Sequence, residues 1–269
     1  MRLRGLTLLT IAGLVAAAAA GVATAAGPTP GLAEAGVVSP SGLFRYVAVP
    51  RAGKTFVKAV RVSDGKMLRY VTLRGMFGVP LVAYDGTAGG LTRDGKRLLL
   101  ETDGTSAPTR FVVLSTRSLK VQQSFVLPGT WAYDALSPDG STAFLTQITS
   151  TDPLRYVVRA YDLGLHRLVG GAIVDKREPE TMAGYPISRI ASADGVWAYT
   201  LYQRPGAQPF VHALNTRDRL AVCIDLVWKG NPDNMGAVRL TLSDDERHLV
   251  VRRLTDGKAL LTVAAPAKS

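Results

Sequence analysis

Cysteine is all but missing from this chain. Cys223 is the only one in 269 residues, so no intrachain disulfide can form in any redox compartment. Its setting, Leu220-Ala221-Val222-Cys223-Ile224, reads as a buried strand position, and an inert thiol is expected there. Histidine is nearly as scarce. His166, His212 and His248 stand far apart, with no pair at metal-ligand spacing and no His-Glu-x-x-His or Cys/His cluster. They read as surface or hydrogen-bonded strand histidines, and neither a metal nor a cofactor is expected. A Gly-x-Ser-x-Gly nucleophile elbow is also lacking. Spacing does not exclude a Ser-His-Asp triad, because such triads assemble from distant residues. Residues 48–55 end in Gly53-Lys54-Thr55, like a phosphate loop, but the segment that follows alternates as a strand. A phosphate loop needs a helix there, so a hairpin turn is expected instead. The acidic trio Asp244-Asp245-Glu246 lacks the alternate spacing and the Gly of a calcium loop.

A long apolar run occurs only at the start. Arg2 and Arg4 form a short basic head, residues 5–20 are uncharged and mostly Leu, Ala, Ile and Val, and Ala23-Thr24-Ala25 offers a small-x-small cleavage site. Residues 1–26 therefore read as a secretory signal peptide. The run is Ala-rich and shorter than the ~20 strongly apolar residues of a membrane span, so no transmembrane segment is expected in the mature chain. The expected location is secreted or at the cell surface. The formal charge is +11, and removing Arg2 and Arg4 with the leader takes it to +9. Such a chain attracts polyanions. The basic residues nevertheless stand singly, without the Lys/Arg block of a nucleic-acid arm, so nucleic acid is not an expected partner.

Helical periodicity is nearly absent. After a Pro/Gly linker over residues 27–35, short runs rich in Val, Leu, Tyr, Phe and Thr alternate with turn residues, as strands do. The stretch 127–147, LPGTWAYDALSPDGSTAFLTQ, is the template: a strand, the turn Ser137-Pro138-Asp139-Gly140, and a second strand. Copies of the turn stand at Ser39-Pro40-Ser41-Gly42, Thr92-Arg93-Asp94-Gly95, Ser192-Ala193-Asp194-Gly195 and Ser243-Asp244-Asp245-Glu246. In each, Ser, Thr or Asp side chains can bond nearby backbone N–H groups, and Gly supplies the positive φ of a tight turn. A period of roughly 50 residues with four strands per unit belongs to propellers. The expected fold is all-β, a β-propeller of about five four-stranded blades over residues 36–265. The last unit lacks one strand. The N-terminal segment carries Pro28 and Pro30 and could complete it only as an edge strand. A two-sheet β-sandwich is the alternative. An incomplete last blade would leave an unpaired edge that invites dimerisation.

Residues 111–147 resemble the YVTN-type and TolB-like β-propeller repeats, which are related to WD repeats. The pattern is Val112-Val113-Leu114-Ser115-Thr116, a second strand over 121–127, the loop Pro128-Gly129, and an inner strand ending in Ser-Pro-Asp-Gly. The resemblance implies a propeller of secreted or surface proteins. Relatives of this kind include hydrolases and pure binding scaffolds, so it transfers no catalytic residue.

In a propeller the loops before the inner strands share one face with the loops between second and third strands. That places Tyr84, Asp85, Trp131, Tyr133, Asp134, Tyr185 and Asn234 on a common rim as candidate ligand-binding residues. Aromatics with carboxylates and amides suit a sugar or peptide. The competing reading for Trp131 and Tyr133 is packing between blades. The functional expectation is an exported, non-enzymatic binding or scaffold protein that takes a protein, a glycan or an anionic cell-wall polymer on its loop face. The alternatives are a secreted hydrolase or lyase using Asp85 and Asp134 in a central channel, and a wall-associated structural protein held by its charge.

Overall fold

The computed structural model describes residues 30–103, 107–178 and 181–267, and the leader expected at 1–26 lies outside them. Five antiparallel sheets follow one another along the chain. Sheet I holds β1 (Val37–Val38), β2 (Phe44–Arg51), β3 (Lys54–Arg61) and β4 (Met67–Arg74). Sheet II holds β5 (Phe77–Gly78), β6 (Arg97–Thr102), β7 (Thr109–Ser115) and β8 (Val121–Leu127). Sheet III holds β9 (Thr130–Leu136), β10 (Thr142–Thr151), β11 (Leu154–Asp162) and β12 (Arg167–Leu168). Sheet IV holds β13 (Tyr185–Ala191), β14 (Trp197–Gln203), β15 (Phe210–Asn215) and β16 (Leu220–Asp225). Sheet V has three strands only, β17 (Val238–Leu242), β18 (His248–Arg253) and β19 (Ala259–Ala264). Within each sheet the strands pair in chain order. The two-sheet sandwich is thereby excluded, and the five-unit propeller stands with an incomplete last blade.

The turn that opens each unit explains the repeat. In the best copy, the Ser137 hydroxyl donates to Asp139 Oδ1 (2.5 Å) and accepts from the Thr142 N–H (3.0 Å), while Asp139 Oδ1 also accepts from the Ser141 N–H. The same three bonds recur on Thr92 and Asp94, on Ser192 and Asp194, and on Ser243 and Asp245. In the first unit Ser41 stands where the others have Asp. Glu246 occupies the glycine place of the last turn, at φ +55°. These carboxylates and hydroxyls satisfy backbone donors locally, which is the reason for their spacing.

Four buried clusters hold the sheets together, and each joins consecutive sheets: I with II, II with III, III with IV, and IV with V. None of the four joins sheet V to sheet I. Among the described residues, none of the N-terminal segment pairs with sheet V. Leu32 instead bridges to Pro80, and the Ala33 N–H donates to the Val79 carbonyl (2.7 Å). Residues 30–33, read as linker from their prolines, thus enter the centre of the molecule, where Ala33 is buried. The phosphate-loop-like run is the β2–β3 hairpin, as its alternation required. The outer strand of sheet III is short, Arg167–Leu168, with one further bridge at Ile173.

Candidate functional site

The inner strand of sheet II is interrupted. After Phe77–Gly78 the chain leaves the ladder, forms a small hairpin closed by the Leu81–Ala88 bridge, and rejoins at Leu91, opposite Leu98. Gly86, at φ +90°, turns the hairpin tip. The tip crosses the centre and docks on the inner strand of sheet IV, where the N–H groups of Tyr84 and Asp85 donate to the carbonyls of Pro186 and Ile187 (both 2.9 Å). Gly89 is required beside it, because the Tyr133 ring occupies the space a Cβ would need.

Under this crossing lies a buried charge pair. Arg189 on β13 donates from Nη1 to Asp134 Oδ1 (2.6 Å) and to Thr200 Oγ1 (2.7 Å), and from Nη2 to the Asp134 carbonyl (2.9 Å). Both side chains are more than nine-tenths buried. Burial, the largest single influence, lowers the affinity of the Arg189 guanidinium for its proton; the Asp134 carboxylate, by charge and hydrogen bond, together with Tyr202 and Tyr133 leaves the pKa raised. Asp85 joins the same group: its Oδ1 accepts from the N–H and hydroxyl of Thr87 (3.0 and 2.6 Å), and its Oδ2 from the Arg189 N–H (3.2 Å). Asp134 Oδ2 has no hydrogen-bond partner within the protein. A cavity of about 30 Å³, lined by Asp134, Thr146, Tyr156 and Tyr202, lies beside it and has room for a single water.

Four further buried side chains surround the pair. Glu101 on β6 accepts from the Tyr133 N–H (2.7 Å), and burial pushes its carboxyl up to about 8, so it is protonated at neutral pH. His212 on β15 is 1% exposed with both ring nitrogens unpartnered, and burial pushes it down to about 4. It is neither a surface histidine nor a hydrogen-bonded one, which corrects the sequence expectation for this residue. The Tyr156 and Tyr202 rings pack at a 5.9 Å centroid distance, and burial raises both hydroxyls.

The structure gathers five of the seven candidate residues near this centre. Tyr84 and Asp85 sit at the hairpin tip, and Tyr185 opens the strand that the tip meets. Tyr133 and Asp134 lie inside β9, not in a loop before it. Trp131 is also within β9, 1% exposed, with its indole N–H donating to the Pro128 carbonyl (2.8 Å). Its partners are those of a residue packed between sheets II and III. Asn234 is exposed in the connection from sheet IV to sheet V, and its N–H donates to the Asn231 carbonyl. A funnel of about 380 Å³ runs from Tyr133, Asp134 and Arg189 to the turns at Ser137 and Ser192, so the charge pair is reached from the turn face.

The loop face carries its own concavity, a cleft of about 670 Å³ between sheets III and IV. Arg155, Arg177 and Arg204 converge on it, over Met182 and Phe210. Asp175, itself buried, fixes Arg177 through Nε (3.0 Å) and Nη2 (2.6 Å), and also accepts from the Cys223 N–H (2.8 Å). The Arg177 guanidinium, foremost, holds the Asp175 carboxyl well below the usual carboxylate range. Arg204 donates to Asp225 Oδ1 (2.8 Å) and to the Gln208 carbonyl, and lies 4.8 Å over the Phe210 ring. Cys223 forms part of the wall; it is half-buried, not fully buried as expected, and burial pushes its thiol up to about 11. Sequence reasoning passed over Arg189, Glu101 and Asp175. The signal for Arg189 and Glu101 was a charge inside an apolar strand, as in Leu98-Leu99-Leu100-Glu101.

A solved structure similar in fold is the Swd1 β-propeller domain of Myceliophteria thermophila, at 13% identity and a TM-score of 0.50, covering 81% of this chain and 61% of that one. The chain is a β-propeller repeat protein. TolB from Acinetobacter baumannii (15% identity, TM-score 0.48) and BamB from Moraxella catarrhalis (12%, 0.46) are similar over 88% and 86% of the chain. The propeller spans 55% of that TolB chain, 61% of the Swd1 domain and 65% of that BamB chain. No protein-family model and no curated protein matches the sequence. Likeness at this level is one of fold. Among the described residues no group of three or more His, Cys, Asp or Glu side chains could hold a metal ion.

Proposed function

We propose that the protein is an exported, non-enzymatic propeller that binds a protein or glycan partner on its loop face, in the cleft between sheets III and IV. The observation that carries this reading is the pre-set pair Arg177 and Arg204. Each is held by an acid through one side of its guanidinium, which among the described residues leaves Nη1 donors for acceptor groups of a partner, while Phe210 and Met182 supply an apolar floor. Pre-organisation of this kind lowers the entropic cost of binding. The central acids serve a different purpose: Asp134 holds Arg189, and Asp85 holds Thr87 and the Arg189 backbone. The basic leader at residues 1–26 supports export.

A pull-down and glycan-array screen with the immobilised chain tests the proposal. Capture of a partner that Arg177→Ala combined with Arg204→Ala abolishes is the expected result. Turnover in a hydrolase panel that is lost in Asp85→Asn combined with Asp134→Asn would overturn it in favour of a central-channel enzyme.

A further inference from the structure

The net charge is not evenly spread. Residues 36–76, which make sheet I, hold eight Lys and Arg against the single Asp64, a net of +7 out of the chain's +11. One by one along the sequence these residues look scattered; the sheet register assembles them. On one face, Tyr46, Ala48, Val57, Ala59 and Leu73 are buried against sheet II. The strand partners Arg45–Val60–Met67, Val47–Lys58–Tyr70, Val49–Phe56–Thr72 and Arg51–Lys54–Arg74 form the opposite face. That face has five basic residues and no acid, and none of the five enters an ion pair among the described residues. Its apolar members are not covered by any of the four buried clusters. Tyr70 is 64% exposed, Met67 49% and Val49 40%.

We infer that this free face of sheet I is a docking surface for an anionic lipid bilayer, separate from the loop-face cleft. Two features select the bilayer over other polyanions. Five unpaired cations in one plane match a layer of anionic headgroups, each cation favouring the bound state by about fivefold. The interleaved Phe56, Tyr70, Met67 and Val49 side chains have no use against a soluble acidic polymer, whereas the boundary between headgroups and acyl chains accepts them, and Tyr favours that boundary. A second copy of the chain is a poor occupant. The free face of sheet V carries Arg239 and Arg252 and no acid, and the free face of sheet I would repel itself.

The test is co-sedimentation of the full chain with vesicles of phosphatidylglycerol mixed with phosphatidylcholine, against phosphatidylcholine alone, at low and high salt. The leader is common to every variant, so differences between variants report on the sheet. Tighter binding to the anionic vesicles is expected, with about a 25-fold loss in Lys54→Gln combined with Lys58→Gln. Equal charge removal elsewhere, by Arg110→Gln with Lys120→Gln on sheet II, is expected to leave binding within about twofold of the original, and circular dichroism checks that all variants fold. In Tyr70→Trp, the new indole should shift its emission to the blue on the vesicles. The inference is overturned if the sheet I and sheet II pairs lose equally, since net charge alone would then explain binding. It is also overturned if soluble polyphosphate displaces the vesicles without any blue shift having occurred, which would mark an acidic polymer as the ligand.

Discussion

The interface between sheets I and II and the interface between sheets III and IV arise from the same repeat and are built from different materials. The first is mostly aliphatic: Ala48, Val57 and Ala59 meet Leu98, Leu100, Val112 and Leu114, with Tyr46 and Phe77 beside them, and sheet I has no buried charged residue. The second buries Asp134, Arg189, Thr200 and His212 among Phe144, Tyr156, Val158, Tyr202 and Leu214. Strand alternation alone supplies the first. The second works only because Arg189 finds a carboxylate from sheet III and a backbone partner from the crossing hairpin of sheet II. An apolar interface accepts any neighbour of suitable shape, whereas a buried ion pair accepts one register and one partner. The polar interface thus specifies which sheets meet, at some cost in stability.

Removing half of the pair should break the contrast most sharply. Arg189→Ala leaves Asp134 charged and uncompensated, and denaturant melts should show a loss of about 3–5 kcal/mol. Asp134→Leu combined with Arg189→Met converts the centre to the material of the I–II interface and should recover most of that loss. If the double variant is as unstable as the single one, the ion pair is not what distinguishes the two interfaces.

A second expected effect concerns pH. Glu101 has its folded pKa raised from 4.5 to about 8, so the folded state keeps a proton that the unfolded state releases over that window. Its stabilising contribution is complete below about pH 4.5 and is lost as pH rises toward 8. Melting between pH 5 and 8 should reveal a decline of roughly 2–4 kcal/mol, and Glu101→Gln should flatten it. An unchanged slope in the variant would assign the decline elsewhere.

The smallest effect belongs to His212. Its folded pKa lies near 4, below the 6.5 of the unfolded state, so stability falls as pH drops from 6.5 toward 4. His212→Leu removes two unpartnered nitrogens and makes this interface more like the other. A gain of about 1–2 kcal/mol at pH 5, and a smaller one at pH 7, is the expected outcome of thermal melts. Loss of stability at both pH values would mean that the ring nitrogens have partners that matter.

The turn residues were the most legible part of the chain, because their chemistry is local. Ser137, Asp139 and Gly140 act within five residues of one another, and so do their four counterparts. From that periodicity came the strands, the number of sheets and the incomplete last unit. The candidate site was legible in part: Tyr84, Asp85, Tyr133 and Asp134 do converge. Nothing in the spacing signalled Arg189, 55 residues beyond Asp134, which donates to both Asp85 and Asp134. Nor did alternation show that residues 79–90 leave the ladder and cross the centre to meet β13.

Sequence alone determined the all-β class, the repeat and the absence of disulfide and metal motifs, since all of these depend on residues close together in the chain. Tertiary structure alone decided the rest. It placed the N-terminal segment in the centre instead of the last sheet, because Leu32 packs against Gly78 where any Cβ would intrude. It set Asp134 against a buried arginine, and Asp85 against Thr87 and the Arg189 backbone. It also gathered scattered cations onto one face of sheet I, because a period of two in each strand becomes a plane only when the strands are in register.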